Sequence, residues 1–92
     1  MENMTTVPKQ FRHLFWDVDI STLQLVKHRK YIIIRVLEYG NEAASEWLKS
    51  KFSEKQIKEV IKSERRLSRK SATFWARIYH IPLSKVTALK SQ

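Results

Sequence analysis

The chain has no cysteine, so no disulfide supports it, and thiolate zinc sites and cysteine nucleophiles are excluded. One glycine and two prolines are too few for a sandwich or barrel built from many tight turns, and their scarcity favours helices. A single glycine also rules out a glycine-rich phosphate loop, and no serine sits in a nucleophile elbow. ATP-driven and hydrolytic chemistry is therefore not expected, and neither is any cofactor. No run approaches the roughly 20 apolar residues that span a bilayer, and the N-terminus lacks the basic-then-apolar layout of a secretory signal. The expected location is cytoplasmic, with no membrane partner. Acidic residues, finally, are missing from everything after Glu64.

That last absence matters because cations continue past it. Residues 1–26 carry two basic and three acidic groups, residues 27–52 carry six and three, and residues 53–92 carry ten and three. Most of the formal net charge of +9 thus lies in the C-terminal half. One-sided charge of this kind concentrates polyanions, so nucleic acid or an acidic protein is the expected partner.

Ninety-two residues, 42% of them hydrophobic, suit one small domain with its own core. We expect a disordered tail over residues 1–7 and a single helical domain over 8–92. Trp16, Trp47 and Trp75 are spaced so that each third of the chain supplies one large side chain for burial. Phe11 to Ile20 is apolar without a clean period and is expected to pack as a short helical turn plus an extended arm across the later helices. Val26 to Tyr39 covers a broad apolar arc at helical spacing, with Tyr31, Arg35 and Glu38 on the opposite stripe, and Gly40 suits a left-handed helix stop. Asn41 is a good N-cap for a helix through Ala43, Ala44, Trp47 and Leu48 to Phe52. Ser53 and Gln56 form a capping box for a helix burying Ile57, Val60 and Ile61. Ser68 caps a further helix, expected to bury Ala72, Trp75, Ile78 and Tyr79 and to end before Pro82. A last short turn through Val86 and Leu89 follows. The expected fold is all-α: a compact orthogonal bundle of about four helices with a helix-turn-helix-like C-terminal half.

The helix after Ser68 holds the strongest functional pattern. Arg69, Thr73 and Arg77 recur one turn apart with Lys70 beside them, as a helix reading the major groove of duplex DNA requires. Lys55, Lys58, Lys62, Arg65 and Arg66 are then placed to contact phosphates, which orient a protein without reading sequence. Ordinary solvated helix faces account equally for residues 54–64, where Glu59 and Glu54 stand near Lys62 and Lys58. They account poorly for the acid-free stretch from Arg65 onward. The pairs Phe15-Trp16 and Phe74-Trp75 read more strongly as core than as platforms for stacked bases, with Phe74, off the main buried face of its helix, the exception. Phe74, Phe11 and Phe15 are the candidate anchors for a protein partner. His13, Asp17 and Asp19 form a weak grouping in which the aspartates are better suited to capping a turn than to holding a metal, and His28 and His80 are expected to be structural.

Three segments, Leu14 to Asp19, Arg35 to Gly40 and Arg66 to Trp75, resemble those of a family of small uncharacterised prokaryotic proteins over roughly residues 8–89. The family is a domain of unknown function, and some members are associated with genes for nucleotidyltransferase toxins of the abortive-infection class. The resemblance implies a regulatory or antitoxin-like role and carries over no site residues. The reading is a non-enzymatic DNA-binding module, with a homodimer expected because one short helix reads few base pairs. The alternative is a module that docks an acidic protein such as a toxin.

Overall fold

A computed structural model describes residues 7–90, which are all helical, turn or loop, with no strand among them. After a first 3-10 helix over Lys9–Phe15 and a second over Ile20–Thr22 come α1 (Arg29–Tyr39), α2 (Glu42–Lys51), α3 (Glu54–Ser63) and α4 (Arg69–Ile78). A 3-10 turn (Leu83–Lys85) and the one-turn α5 (Thr87–Lys90) complete the bundle. The expected tail falls outside the described residues except for Val7, which is buried.

The caps explain where the helices begin. Asn41 accepts the Ala44 N–H at 2.9 Å. Ser53 and Gln56 make both bonds of the capping box, at 3.1 and 3.0 Å. The Ser68 hydroxyl accepts the Ser71 N–H at 3.1 Å. Each cap satisfies backbone donors that the first helical turn leaves without a partner. Alpha-1 starts later than its apolar pattern suggests, because Leu25 to His28 form a turn in which the His28 ring accepts the Gln24 N–H at 3.0 Å. Val26 is left in solvent as a result.

Alpha-1 is the central element and packs against α2, α3, α4 and the first 3-10 helix. Its Ile32, Ile33, Ile34, Val36 and Leu37 are all buried. A helix enclosed on so many sides is apolar over a wide arc, which is why three consecutive isoleucines stand in a helix and not in a strand. The Phe11 to Ile20 segment packs on the bundle, with Phe11, Leu14, Phe15 and Ile20 in the core.

The polar stripe of α1 holds this segment down. The Arg35 guanidinium donates to the Leu14 carbonyl at 3.0 Å and to the Asp17 carboxylate at 2.6 Å, and Asp17 also accepts from the Tyr31 hydroxyl at 2.9 Å. The hydrogen bond from Arg35 and then that from Tyr31 hold the Asp17 carboxyl below its ordinary pKa. Trp16, expected in the core, is 63% exposed. It lies instead against the Arg35 guanidinium, 4.5 Å from its ring centroid, where cation–π attraction replaces burial. Asp19 caps the second 3-10 helix by accepting the Ser21 N–H at 3.0 Å. His13, Asp17 and Asp19 therefore do not converge.

Two helix ends depart from the simplest chemistry. Gly40 is not left-handed but extended, with φ −77° and ψ 161°. A side chain there would place Cβ 2.6 Å from the Val36 carbonyl oxygen and 3.1 Å from the Ala44 Cβ. Close approach to the last turn of α1 itself, and secondarily to Ala44 of α2, is what requires glycine, not backbone sign. The left-handed residue is His80, with φ 60°. The His80 N–H reaches the Arg77 carbonyl at 3.2 Å and the Ile81 N–H reaches the Ala76 carbonyl at 2.7 Å, which is a Schellman ending to α4.

These ends respond oppositely to substitution. Gly40→Ala is expected to lower unfolding stability by about 1–3 kcal/mol, because the clash is with backbone that has no room to yield. His80→Gly is expected to raise it by about 0.5–1 kcal/mol, since glycine takes φ > 0 without a Cβ penalty. Urea titration of the two variants beside the parent chain reads both signs.

Candidate nucleic-acid interface

The outward face of α4 is set by what fastens its inner side. The Glu38 carboxylate of α1 accepts three hydrogen bonds from the start of α4: the Ser68 N–H at 2.9 Å, the Ser68 hydroxyl at 2.7 Å and the Ser71 hydroxyl at 2.9 Å. One turn further on, the Trp75 indole N–H donates to the Leu37 carbonyl at 2.7 Å. Ala72 and Ala76 are fully buried beneath these ties, and their small side chains let the helix lie close to its neighbours. Burial pushes the Glu38 carboxyl upward, but the hydrogen bonds from Ser68 and Ser71 outweigh it and hold the group below its ordinary 4.5.

This anchoring decides which residues face water. Trp75 and Tyr79 are half-buried, as two flanks of the inner face. Ile78, expected inside, is 52% exposed. It follows the buried Ala76 by two residues, about 200° round the helix, and so points away from the core. Phe74 is 53% exposed.

The structure brings Arg69, Lys70, Thr73 and Arg77 together. With Phe74 and Ile78 they line one open groove of about 610 Å³ in which no carboxylate takes part. Arg69, Lys70 and Arg77 are exposed, and among the described residues none of the three forms an ion pair with a carboxylate. The field of this face is therefore not neutralised locally.

The remaining expected residues lie elsewhere. Lys55, Lys58 and Lys62 line a separate groove on α3, mixed with Glu54 and Glu59. Lys58 is paired with Glu54 at 2.9 Å. In the 64–68 link between α3 and α4, Arg66 is tied to Glu64 at 2.6 Å. That hydrogen bond draws the Glu64 carboxyl down against the opposing effect of burial. Arg65 is exposed. Phe11 and Phe15 are core residues, at 4% and 0% exposure, so of the candidate partner anchors only Phe74 is at the surface. Their apolar neighbours at 14 and 20 are buried with them, because the segment closes over α1.

One basic concavity carried no signal in the linear pattern. Arg29 and Lys30 at the start of α1 meet Lys62, Gln56 and Ser63 of α3 around a hollow of about 240 Å³, with Glu59 opposing them. These residues lie some thirty positions apart and are joined only by the packing of α1 on α3.

A model of a family of unknown function, DUF6922, matches residues 11–61. That span runs from the first 3-10 helix into α3, and α4 lies beyond it. No curated protein and no solved structure matches the chain.

The Glu38 clamp can be tested by pH. Because its folded pKa is depressed, its contribution is complete above the ordinary carboxylate range and is lost as pH falls through the folded value. Glu38→Ala is expected to cost about 1–3 kcal/mol at pH 7 by removing the charged acceptor of three hydrogen bonds. Urea midpoints of parent and variant should draw together as the pH falls below the ordinary carboxylate range and through the depressed folded pKa of Glu38.

Proposed function

The chain belongs to this family of unknown function, and on the chemistry of its own surface we propose that it is a small DNA-binding module, a transcriptional regulator or antitoxin-like protein, whose α4 reads duplex DNA. The observation that carries this reading is the carboxylate-free groove of Arg69, Lys70, Thr73 and Arg77 on an exposed helical face. A 10-residue helix is about 15 Å long, and Arg69 and Arg77 are separated by about 12 Å along its axis, the span of three or four base-pair steps. Two guanidinium groups so placed can each take the N7 and O6 acceptors of a guanine, while Thr73, Phe74 and Ile78 offer methyl and ring contacts to thymine.

Phosphate contacts fall to the surrounding cations. Lys55, Lys62 and Arg65 are exposed, and Arg29 and Lys30 add to them from α1. Lys58 and Arg66 already hold glutamates and must exchange them for phosphate. No helix among the described residues is long and apolar enough to cross a membrane.

A second reading, docking of an acidic protein, is favoured by one specific feature. Phe74 and Ile78 stand more than half exposed within the arginine face, and apolar anchors ringed by charge are characteristic of protein interfaces.

Fluorescence anisotropy with labelled duplexes separates the two. Binding to random duplex should weaken linearly in log–log form between about 50 and 200 mM salt. Arg69→Ala with Arg77→Ala should remove selectivity at a cost of roughly 1–3 kcal/mol per arginine, whereas Lys62→Ala should weaken all sequences alike and reduce the salt slope by about one. A chain that ignores duplex DNA at low salt sinks the first reading. Phe74→Ala then becomes the decisive variant, expected to cost more than about 1 kcal/mol with an acidic partner.

A further inference from the structure

Alpha-4 separates two grooves of opposite character. On one side lie Arg69, Lys70 and Arg77. On the other, between α2 and α4, a groove of about 680 Å³ is lined by Trp75 and Tyr79 and rimmed by Glu42, Glu46 and Glu54, with Lys49 the one lysine or arginine among its lining residues. Phe74 and Ile78 line both grooves and so form the ridge between them. The order round the helix agrees: at about 100° per residue, Arg77 and Lys70 come first, then Phe74 and Ile78, then Trp75 and Tyr79.

The acidic rim is real but lightly held. Lys49 offsets Glu46 at 3.3 Å and Lys58 offsets Glu54 at 2.9 Å, both on the surface. Exposed pairs of this kind are weak and exchange readily for a better partner. Glu42 has no ion-pair partner among the described residues. An apolar groove edged by carboxylates, on a chain of net charge +9, calls for an occupant that is both cationic and apolar. The basic flank of α4, with its phenylalanine and isoleucine, has that composition.

We propose that the ridge and its two flanks form a self-complementary interface, in which the acidic groove is filled by the basic flank of α4 from a second copy of the chain. A two-fold axis running along the ridge, in the plane of contact, places the basic flank of each copy against the acidic flank of the other. The two α4 helices are then parallel, with Phe74 and Ile78 of both copies at the centre and charge pairs around them. An axis across the ridge would face like charge with like, so charge selects the first arrangement. Two large apolar side chains per copy are less than a standard interface buries, and the dimer is accordingly weak and salt-sensitive. Arg69, Lys70 and Arg77 cannot face a second copy and a duplex together. Self-association therefore withdraws the DNA-reading surface, although the interface itself does not depend on that reading.

Sedimentation equilibrium from about 10 µM to about 1 mM at low salt measures the association directly. The parent chain is expected to dimerise with rising concentration and to dissociate as salt is added. Glu42→Lys with Glu46→Lys, and separately Arg69→Glu with Arg77→Glu, should each weaken association by about tenfold or more. An equimolar mixture of the two double variants should regain it, because a predominantly basic interface then meets a predominantly acidic one. All four positions are exposed, and circular dichroism verifies that each variant keeps its helices. A parent chain that stays monomeric across the range overturns the proposal. So do double variants that associate like the parent, and so does a mixture no better than its components.

Discussion

The Glu38 carboxylate governs the character of the molecule's outer surface. By accepting from the Ser68 backbone and from the hydroxyls of Ser68 and Ser71, it joins the end of α1 to the start of α4 and fixes the rotation of α4 about its own axis. A rotation of one residue, about 100°, would exchange Ile78 or Phe74 for Trp75 on the exposed side and would bring Arg77 toward the core. The groove of Arg69, Lys70, Thr73 and Arg77 exists because that rotation is set.

The same α1 stripe works in both directions along the chain. Arg35 and Tyr31 hold the Leu14 to Asp17 stretch, and Glu38 holds α4, so a line of polar residues facing away from the densest part of the core still makes long-range contacts on each side. These bonds are partly exposed, and each contributes modestly. Their effect is chiefly positional: they pin two segments whose apolar contacts alone would tolerate small slips.

Much of the architecture was legible in the linear pattern. Asn41, Ser53 and Ser68 are caps because a short side-chain oxygen at the right offset satisfies backbone donors locally, and local chemistry is readable in sequence. Ile57, Val60 and Ile61 were readable as the inner face of α3 for the same reason. The inner face of α4 was read less well. Its pattern contains both Ala76 and Ile78, and apolarity alone ranks isoleucine above alanine for burial, whereas close helix approach selects the alanines. Trp16 misled similarly: its size argued for burial, and only the fold brings the Arg35 guanidinium to its ring. Phe15 was legible as core from its size, but Phe11 and Phe15 also read as surface anchors, because the segment has no clean period to divide one face from another.

By itself the sequence determined the helical class, the capped starts of α2, α3 and α4 and the excess of cations after Glu64, since capping, periodicity and charge are properties of neighbouring residues. Tertiary structure alone decided that Arg69, Lys70, Thr73 and Arg77 share a groove without carboxylates while Lys58 and Arg66 are paired, that Arg29 and Lys30 meet Lys62, and that Phe74 and Ile78 divide a basic flank from an acidic one. The reason is physical. Those outcomes depend on the rotation and approach of helices distant along the chain, and that geometry is fixed by contacts such as Glu38 to Ser68 and Trp75 to Leu37, which no local window contains.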